Sequence, residues 1–153
     1  MRIIVASDSH GDTYGLKKAV EQQPTAKAMY FLGDGEYDIE LIKSMFPMLP
    51  VFSVRGNCDY ASALPCSLTD IVENNTIYVT HGFAEQVKST KAILWDRARE
   101  KNASIALYGH THFADTTYYD GIWLVNPGSI RNDEYAVIDI TQKGIMPILM
   151  KIK

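Results

Sequence analysis

The sequence is short of several features that would define a class of protein at once. It has 153 residues and only two cysteines, Cys58 and Cys66, whose spacing gives no disulfide framework. No hydrophobic run is long enough to span a membrane, and the apolar run at 2–7 is too short for the core of a signal peptide. We therefore expect a cytoplasmic protein with no membrane partner.

A surplus of charge of one sign is also missing. The chain has 15 basic and 18 acidic residues, a net charge of -3, and no segment that concentrates lysine and arginine. This balance argues against duplex nucleic acid as a partner, because binding to duplexes rests on clusters of cationic side chains. A small or single-stranded phosphorylated substrate stays open.

The chain lacks linkers, low-complexity segments and internal repeats, so we predict one domain over residues 1–153. Its first half alternates short apolar runs with amphipathic segments, which predicts a β-α-β-α-β order and a parallel sheet. The second half has hairpin patterns, with turns predicted at 74–75 and 120–121, around a helix predicted over 85–102. Two mixed sheets flanked by helices accommodate both halves.

Histidine is scarce as well, and its few positions are informative. The chain has 4 histidines, and each follows a predicted strand within a few residues. Sites in α/β sheets gather at the carboxyl ends of strands. Aspartate and asparagine occupy similar positions after other strands. The candidate site residues at these strand ends are Asp8, His10, Asp34, Asn57, His81, His110 and His112.

These residue types favour a transition-metal site. Imidazole together with carboxylate suits Mn, Fe, Co, Ni or Zn, whereas oxygen ligands alone would favour Mg or Ca. The candidates outnumber the ligands of a structural zinc ion and suffice for two ions that share a carboxylate. Individual residues have simpler interpretations, since an aspartate after a strand often caps a helix and Asn57 fits a turn. The joint pattern favours metal because it includes every histidine.

Five motifs, taken in order, resemble those of the calcineurin-like metallophosphoesterases. The motifs are DSH (8–10), GDGE (33–36), GNCD (56–59), THG (80–82) and GHTH (109–112). A further segment, NPGS (126–129), is similar to the closing motif of the small bacterial and archaeal phosphodiesterases of this superfamily. The resemblance covers nearly the whole chain. It implies an α/β fold, namely a four-layer α/β/β/α sandwich of two mixed sheets flanked by helices.

The resemblance also implies a ligand set and an activity. A first ion would be held by Asp8, His10, Asp34 and His112, and a second by Asp34, Asn57, His81 and His110. Asp34 would bridge the two ions together with a hydroxide. The implied metal is manganese, with nickel, iron or zinc as alternatives. The implied activity is hydrolysis of a small phosphodiester by that hydroxide.

Cys58 departs from the family pattern, which usually has histidine at this position. That histidine assists the leaving group and is oriented by the acidic residue after it, so the resemblance implies catalytic roles for Asn57, Cys58 and Asp59. A thiol is a weaker hydrogen-bond donor than imidazole. We therefore predict a preference for diesters, or for substrates with good leaving groups, over alkyl monoesters. The alternative interpretation of Cys58 is a small buried hydrophobic residue.

Other assignments are left with alternatives. Ser129 and Arg131 are predicted to contact the phosphate of the substrate, although Pro-Gly in the same segment also favours a simple turn. The alternatives to a phosphodiesterase are a phosphomonoesterase and a non-catalytic scaffold that binds proteins, like the related subunit of the retromer coat. All predicted ligand positions hold competent side chains, which favours an enzyme. Tyr118 and Tyr119 leave a homo-oligomer open.

Overall fold

The computed structural model describes residues 1–153 and contains two five-stranded sheets and three α-helices. The first sheet consists of β1 (Arg2–Ala6), β2 (Ala28–Phe31), β3 (Val51–Ser53), β9 (Glu134–Thr141) and β10 (Gly144–Lys151). The second consists of β4 (Ser67–Val72), β5 (Asn75–Thr80), β6 (Ile105–Leu107), β7 (Asp115–Tyr119) and β8 (Ile122–Asn126). The helices are α1 (Thr13–Glu21), α2 (Glu36–Met45) and α3 (Ala92–Glu100), with a 3₁₀ turn at Ile130–Asn132.

Both sheets are mixed, as predicted. The first has the order β10-β9-β1-β2-β3, in which β1, β2 and β3 are parallel. The second has the order β4-β5-β6-β8-β7, in which β5, β6 and β8 are parallel and the two edge strands are antiparallel. The carboxyl ends of the parallel strands therefore meet at one end of the molecule, and the hairpin turns lie at the other.

The alternation of side chains along β1 shows how the layers form. Ile3 and Val5 point into the apolar cluster between the sheets, whereas Ile4 and Ala6 point towards α1 and α2. A third apolar cluster joins α3 to the outer face of the second sheet. Each buried isoleucine or leucine contributes about 1.5–3 kcal/mol relative to exposure. The three clusters confirm the predicted four-layer α/β/β/α sandwich.

The segment before α3 differs from the sequence prediction. A helix was expected from residue 85, but α3 begins only at Ala92 and the preceding residues form turns. Gln86 has a φ of 55°, which a right-handed helix does not allow. The adjacent Glu85 is buried, and its carboxylate accepts hydrogen bonds from Tyr78 Oη at 3.0 Å and from Arg97 at 2.7 Å. This carboxylate ties the segment to the sheet, and its local sequence pattern carries no sign of that contact.

Of two hairpin turns predicted from the sequence, one lies at the predicted residues and the other lies one residue earlier. The turn after β7 is at Asp120-Gly121 as predicted, whereas the turn after β4 is at Glu73-Asn74, one residue earlier than expected. Glu73 and Asn74 both have positive φ angles, 48° and 64°, which suit a two-residue hairpin turn. No helix of the structure has the length and apolar character needed to cross a membrane.

Candidate metal centre

The strand-end residues predicted to bind metal come together at one end of the molecule. Their ligand atoms form two trios, in each of which all three atoms lie within 4.8 Å of one another. The first trio is Asp8, His10 and His112, and the second trio is Asp34, His81 and His110. Asn57 adjoins the second trio, because its Oδ1 lies 3.0 Å from Nε2 of His81. The structure thus gathers all seven residues named from the sequence.

Asp34 lies between the two trios. Its Oδ2 is 3.3 Å from Nε2 of His81 and 3.8 Å from Nε2 of His10, so one oxygen faces a histidine of each trio. Its Oδ1 accepts a hydrogen bond from the backbone N–H of Cys58 at 2.7 Å. One carboxylate oxygen is therefore anchored, and the other is free to be shared by two cations.

Asp8 has the same division between an anchored and a free oxygen. Its Oδ2 accepts hydrogen bonds from Ser7 Oγ at 2.6 Å and from the His110 N–H at 3.0 Å. Its Oδ1 is buried and accepts no hydrogen bond, although Nε2 of His112 lies 3.2 Å away and Nε2 of His10 lies 3.7 Å away. A buried carboxylate oxygen without a partner is costly. This orphaned atom, surrounded by imidazole nitrogens, fits a divalent cation.

The second trio is held by contacts to the backbone around it. Nδ1 of His81 donates to the carbonyl of Leu32 at 2.7 Å, which turns Nε2 towards Asp34 and Asn57. Such an outer contact fixes the orientation of a metal-binding imidazole. The His81 ring also packs edge-on against His110, with centroids 5.0 Å apart.

The pKa values of the trio reflect its crowding. Burial raises the pKa of Asp34, but the hydrogen bond and positive charge of His81 outweigh burial and lower it to about 2. Burial lowers the pKa of His81, yet the carboxylates of Asp34 and Asp8 raise it above its ordinary value. Burial lowers the pKa of His110, and the nearby charges of His81 and Lys88 lower it further. His110 is therefore the more readily available as a neutral ligand.

The backbone at the centre is strained. Five of the candidate ligands have positive φ angles, between 43° and 70°: Asp8, His10, Asp34, His110 and His112. A residue other than glycine held in such a conformation costs about 1–3 kcal/mol and is found preferentially at functional sites. The cause is the sharp turn of each loop at a strand end, where the loops bond to one another, as in Asp8 N–H to the Gly33 carbonyl at 3.0 Å.

Two motif glycines allow the loops to approach so closely. A Cβ at Gly56 would overlap the Asp34 carboxylate, and a Cβ at Gly109 would overlap the hydroxyl of Ser7. Neither position has room for a side chain, so the two motifs need glycine for packing against the neighbouring loop.

Asp59, for which the resemblance implies a catalytic role, is buried and connects two loops, an arrangement that we call a clamp. Its carboxylate accepts four backbone N–H bonds, from Asp34 and Gly56 at 2.8 Å, from Gly35 at 2.9 Å and from Glu36 at 3.1 Å. It therefore joins two loops that carry candidate ligands and caps the first turn of α2, whose own N-cap residue has no side-chain hydrogen bond. The structure gives Asp59 a positioning role.

Cys58 is exposed, which is contrary to the alternative of a buried hydrophobic residue. Its sulfur forms a third trio with His10 and Asp34, again within 4.8 Å. Partial desolvation by neighbouring atoms and the charge of Asp34 raise the pKa of this exposed thiol. Cys58 therefore stands beside the centre as a neutral thiol.

The predicted substrate contacts of the NPGS segment need one correction. Ser129 is fully buried, and its hydroxyl donates to the Asp8 carbonyl at 2.8 Å and accepts from the Arg131 N–H at 3.2 Å. It holds the Asp8 loop in place and has no surface for a substrate. Arg131 is exposed, and its assignment to the substrate stays a prediction.

Two positioning residues were missed by the sequence analysis. Asn126 is buried and donates to the Gly109 carbonyl at 3.1 Å and to Thr111 Oγ1 at 2.9 Å, which holds the loop of both C-terminal histidines. Asp38 accepts from Ser9 Oγ at 2.6 Å and from the Gly11 N–H at 2.9 Å on either side of His10. Asn126 was indicated in the sequence, since it begins the NPGS motif, but no motif pointed to Asp38 as a positioning residue.

A two-sheet α/β sandwich that gathers aspartates and histidines at one end defines the class of metallophosphoesterases. The chain belongs to the calcineurin-like phosphoesterase superfamily, because the model of that superfamily's domain matches residues 1–143. Members of this metal-dependent family are generally hydrolases, and the trios described above could bind metal.

Individual relatives agree with this assignment. The chain is 31% identical over 148 residues to the probable metallophosphoesterase YsnB of Bacillus subtilis, covering 92% of this chain and 85% of that protein. The crystal structure of a predicted phosphoesterase from Streptococcus pneumoniae is 25% identical, with a TM-score of 0.83 over 98% of this chain and 88% of that one. Vps29 of Chaetomium thermophilum shares the fold at 16% identity, with a TM-score of 0.76 over 100% of this chain and 98% of its own.

Proposed function

We propose that residues 1–153 form a single-domain phosphodiesterase that uses two divalent metal ions to hydrolyse a small phosphodiester. The observation that carries this proposal is the buried, unpartnered Oδ1 of Asp8, which faces Nε2 of His10 and His112. A second group of ligands of the same kind lies across Asp34. Imidazole and carboxylate ligands favour manganese, nickel, iron or zinc, and manganese is our first choice.

The ligands divide between the ions as follows. Asp8, His10, Asp34 and His112 would hold the first ion, and Asp34, Asn57, His81 and His110 the second. When bound, two such ions lower the pKa of a shared water towards neutrality and offset the negative charge that develops on the phosphoryl oxygens. The chain itself supplies orientation, through the Leu32 carbonyl behind His81 and the Ser7 hydroxyl behind Asp8.

An enzyme is better supported than a scaffold. A scaffold that only binds proteins has no need of strained ligand residues, yet five of them are kept in left-handed backbone here. The likeness to Vps29 is one of fold, at 16% identity.

Removal and return of metal test the proposal directly. Protein stripped with a chelator should hydrolyse bis(p-nitrophenyl) phosphate at least about 100-fold more slowly than protein titrated with manganese. Elemental analysis of the active form should find about two ions per chain. Metal uptake without any metal-dependent hydrolysis of a phosphodiester would instead support the scaffold.

The exposed thiol of Cys58 predicts a preference among substrates. Since a neutral thiol is a poor proton donor, kcat/KM for bis(p-nitrophenyl) phosphate should exceed that for an alkyl phosphomonoester by about 100-fold or more. Cys58→His should narrow the gap by about 10-fold, because imidazole is the better acid. Cys58→Ser serves as the control, because it keeps the size of the side chain and introduces no imidazole. Equal kcat/KM values for both substrates in the unmodified protein would contradict the prediction.

The two histidines of the GHTH loop are expected to serve different ions. His112→Ala should mainly empty the first position, since His112 belongs to the trio of Asp8. His110→Ala should mainly empty the second position, which contains His81. Manganese electron paramagnetic resonance distinguishes a coupled pair of ions from a single bound ion. An unchanged spectrum in either variant would show that this division of ligands is wrong.

A further inference from the structure

A cavity of about 430 Å³ opens beside the second trio of the metal centre. Its wall includes His81 and Asn57, so it is continuous with the position of the second ion. Ligand pockets have volumes of roughly 300–1,000 Å³. Three further lining residues, Arg55, Cys66 and Phe83, are not among the candidate metal ligands.

Phe83 is an exposed aromatic residue that lines this cavity. Its ring packs edge-on against His110, with centroids 5.5 Å apart and the planes at 86°. The side chain is nevertheless 60% exposed. A large aromatic side chain that keeps this much of its surface open to solvent can offer a ring face to a planar ligand.

Arg55 lines the same cavity and is half-buried. Its backbone is fixed by a hydrogen bond from its N–H to the Pro65 carbonyl at 2.9 Å. Its guanidinium makes no ion pair or hydrogen bond, whereas Arg2 and Arg97 each bind a carboxylate at 2.7 Å. Arg55 therefore brings to this cavity a guanidinium group whose five N–H donors have no acceptor in the protein.

We propose that this cavity holds one ester arm of the substrate, and that this arm carries a heteroaromatic ring of the nucleobase class. Phe83 stacks on the ring, and Arg55 donates to acceptor atoms at its edge. An alkyl arm would leave the donors of Arg55 without acceptors, and a second phosphate would leave the face of Phe83 unused. The inference rests on the proposed function, since the phosphodiester group must lie at the two ions.

Binding to the manganese-loaded protein tests this assignment without any need for turnover. Isothermal titration calorimetry would compare thymidine 5′-monophosphate with methyl phosphate, which share the phosphate group and differ in the nucleoside. We expect the nucleotide to bind at least about 10-fold more tightly. Phe83→Leu keeps an apolar contact with His110 but removes stacking, so it should weaken nucleotide binding about 10-fold. Arg55→Met should weaken it about 5-fold, and neither variant should change methyl phosphate binding.

Phe113 provides the matched control. It follows His112 of the other trio, is 78% exposed and does not line the cavity, so Phe113→Leu should leave both affinities unchanged. Equal binding of the two ligands by the unmodified protein would overturn the inference. So would a loss in Phe83→Leu that affects both ligands, or an equal loss in Phe113→Leu.

The two proposals fail separately. Selective nucleotide binding without hydrolysis of any phosphodiester would contradict the proposed function and leave the cavity assignment intact. Metal-dependent hydrolysis with no effect of Phe83→Leu or Arg55→Met on nucleotide binding would contradict the cavity assignment and leave the proposed function intact.

Discussion

Replacement of Asp34 by asparagine is expected to lower kcat/KM for bis(p-nitrophenyl) phosphate by about 1,000-fold or more. The amide keeps an oxygen that can accept the hydrogen bond from the Cys58 N–H, so the loop should hold its shape. The atom that faces His81 and His10 becomes an uncharged nitrogen. Both ions then lose their shared ligand, and metal content should fall below about one ion per chain.

Asp133→Asn is the matched control for this experiment. Asp133 has a φ of 59°, nearly the same as the 60° of Asp34, and it is exposed at the end of the 3₁₀ turn. The chemical change and the backbone conformation are thus alike, and only the location differs. Two bound ions and near-normal activity in Asp34→Asn would show that this carboxylate does not bridge. An equal loss in Asp133→Asn would place the cause outside the metal centre.

Replacement of Asp59 by alanine is expected to destabilise the metal-free protein by about 3 kcal/mol. The change leaves the N–H groups of Asp34, Gly35, Glu36 and Gly56 without their acceptor. Buried donors that lose a charged acceptor are costly, even when water replaces part of the loss. For a chain of this size the midpoint of thermal unfolding should fall by roughly 6–12 °C. Urea unfolding of the chelator-treated protein measures the free energy directly.

Asp59→Asn separates the clamp from a catalytic role. The amide retains one acceptor oxygen, so the loss of stability should be about half that of the alanine variant. If Asp59 instead acted only by orienting residue 58 towards the leaving group, both variants would lose activity with little change in the unfolding midpoint. A change below about 0.5 kcal/mol in Asp59→Ala would contradict the clamp.

The convergence of the candidate ligands could be predicted because it follows from the topology. Parallel strands bring their carboxyl ends to one end of each sheet, so residues after β1, β2, β5 and β6 must converge. Asp8, Asp34 and His81 lie within three residues of the ends of β1, β2 and β5, and their residue types already indicate metal. The four-layer order was predictable for a similar reason, since the periodicity of each element marks its apolar face.

The supporting contacts could not be predicted, because each depends on two segments that are distant in the chain. Asp38 reaches the loop of Ser9, 29 positions away, and the hydroxyl of Ser129 reaches the Asp8 carbonyl, 121 positions away. In the sequence, Ser129 lies beside Pro-Gly and is expected in an exposed turn, whereas in the structure its side chain is buried. The helix predicted from residue 85 failed for a similar reason. A glutamate is usually exposed on a helix, but Glu85 is buried and accepts hydrogen bonds from Tyr78, Thr80 and Arg97.

The left-handed backbone of Asp8, His10, Asp34, His110 and His112 sets folding stability against the proposed metal binding at the same five positions. Glycine adopts this conformation without the steric cost, so replacing a ligand by glycine relieves strain at the moment it removes a metal contact. If the proposed hydrolysis were no longer under selection, such substitutions would remove the candidate centre and leave the two sheets intact. At Asp8 and Asp34 this relief is offset, because their carboxylates accept hydrogen bonds from neighbouring loops that glycine would lose. In terms of folding free energy, the three histidines are therefore the positions at which the proposed centre would be lost most readily.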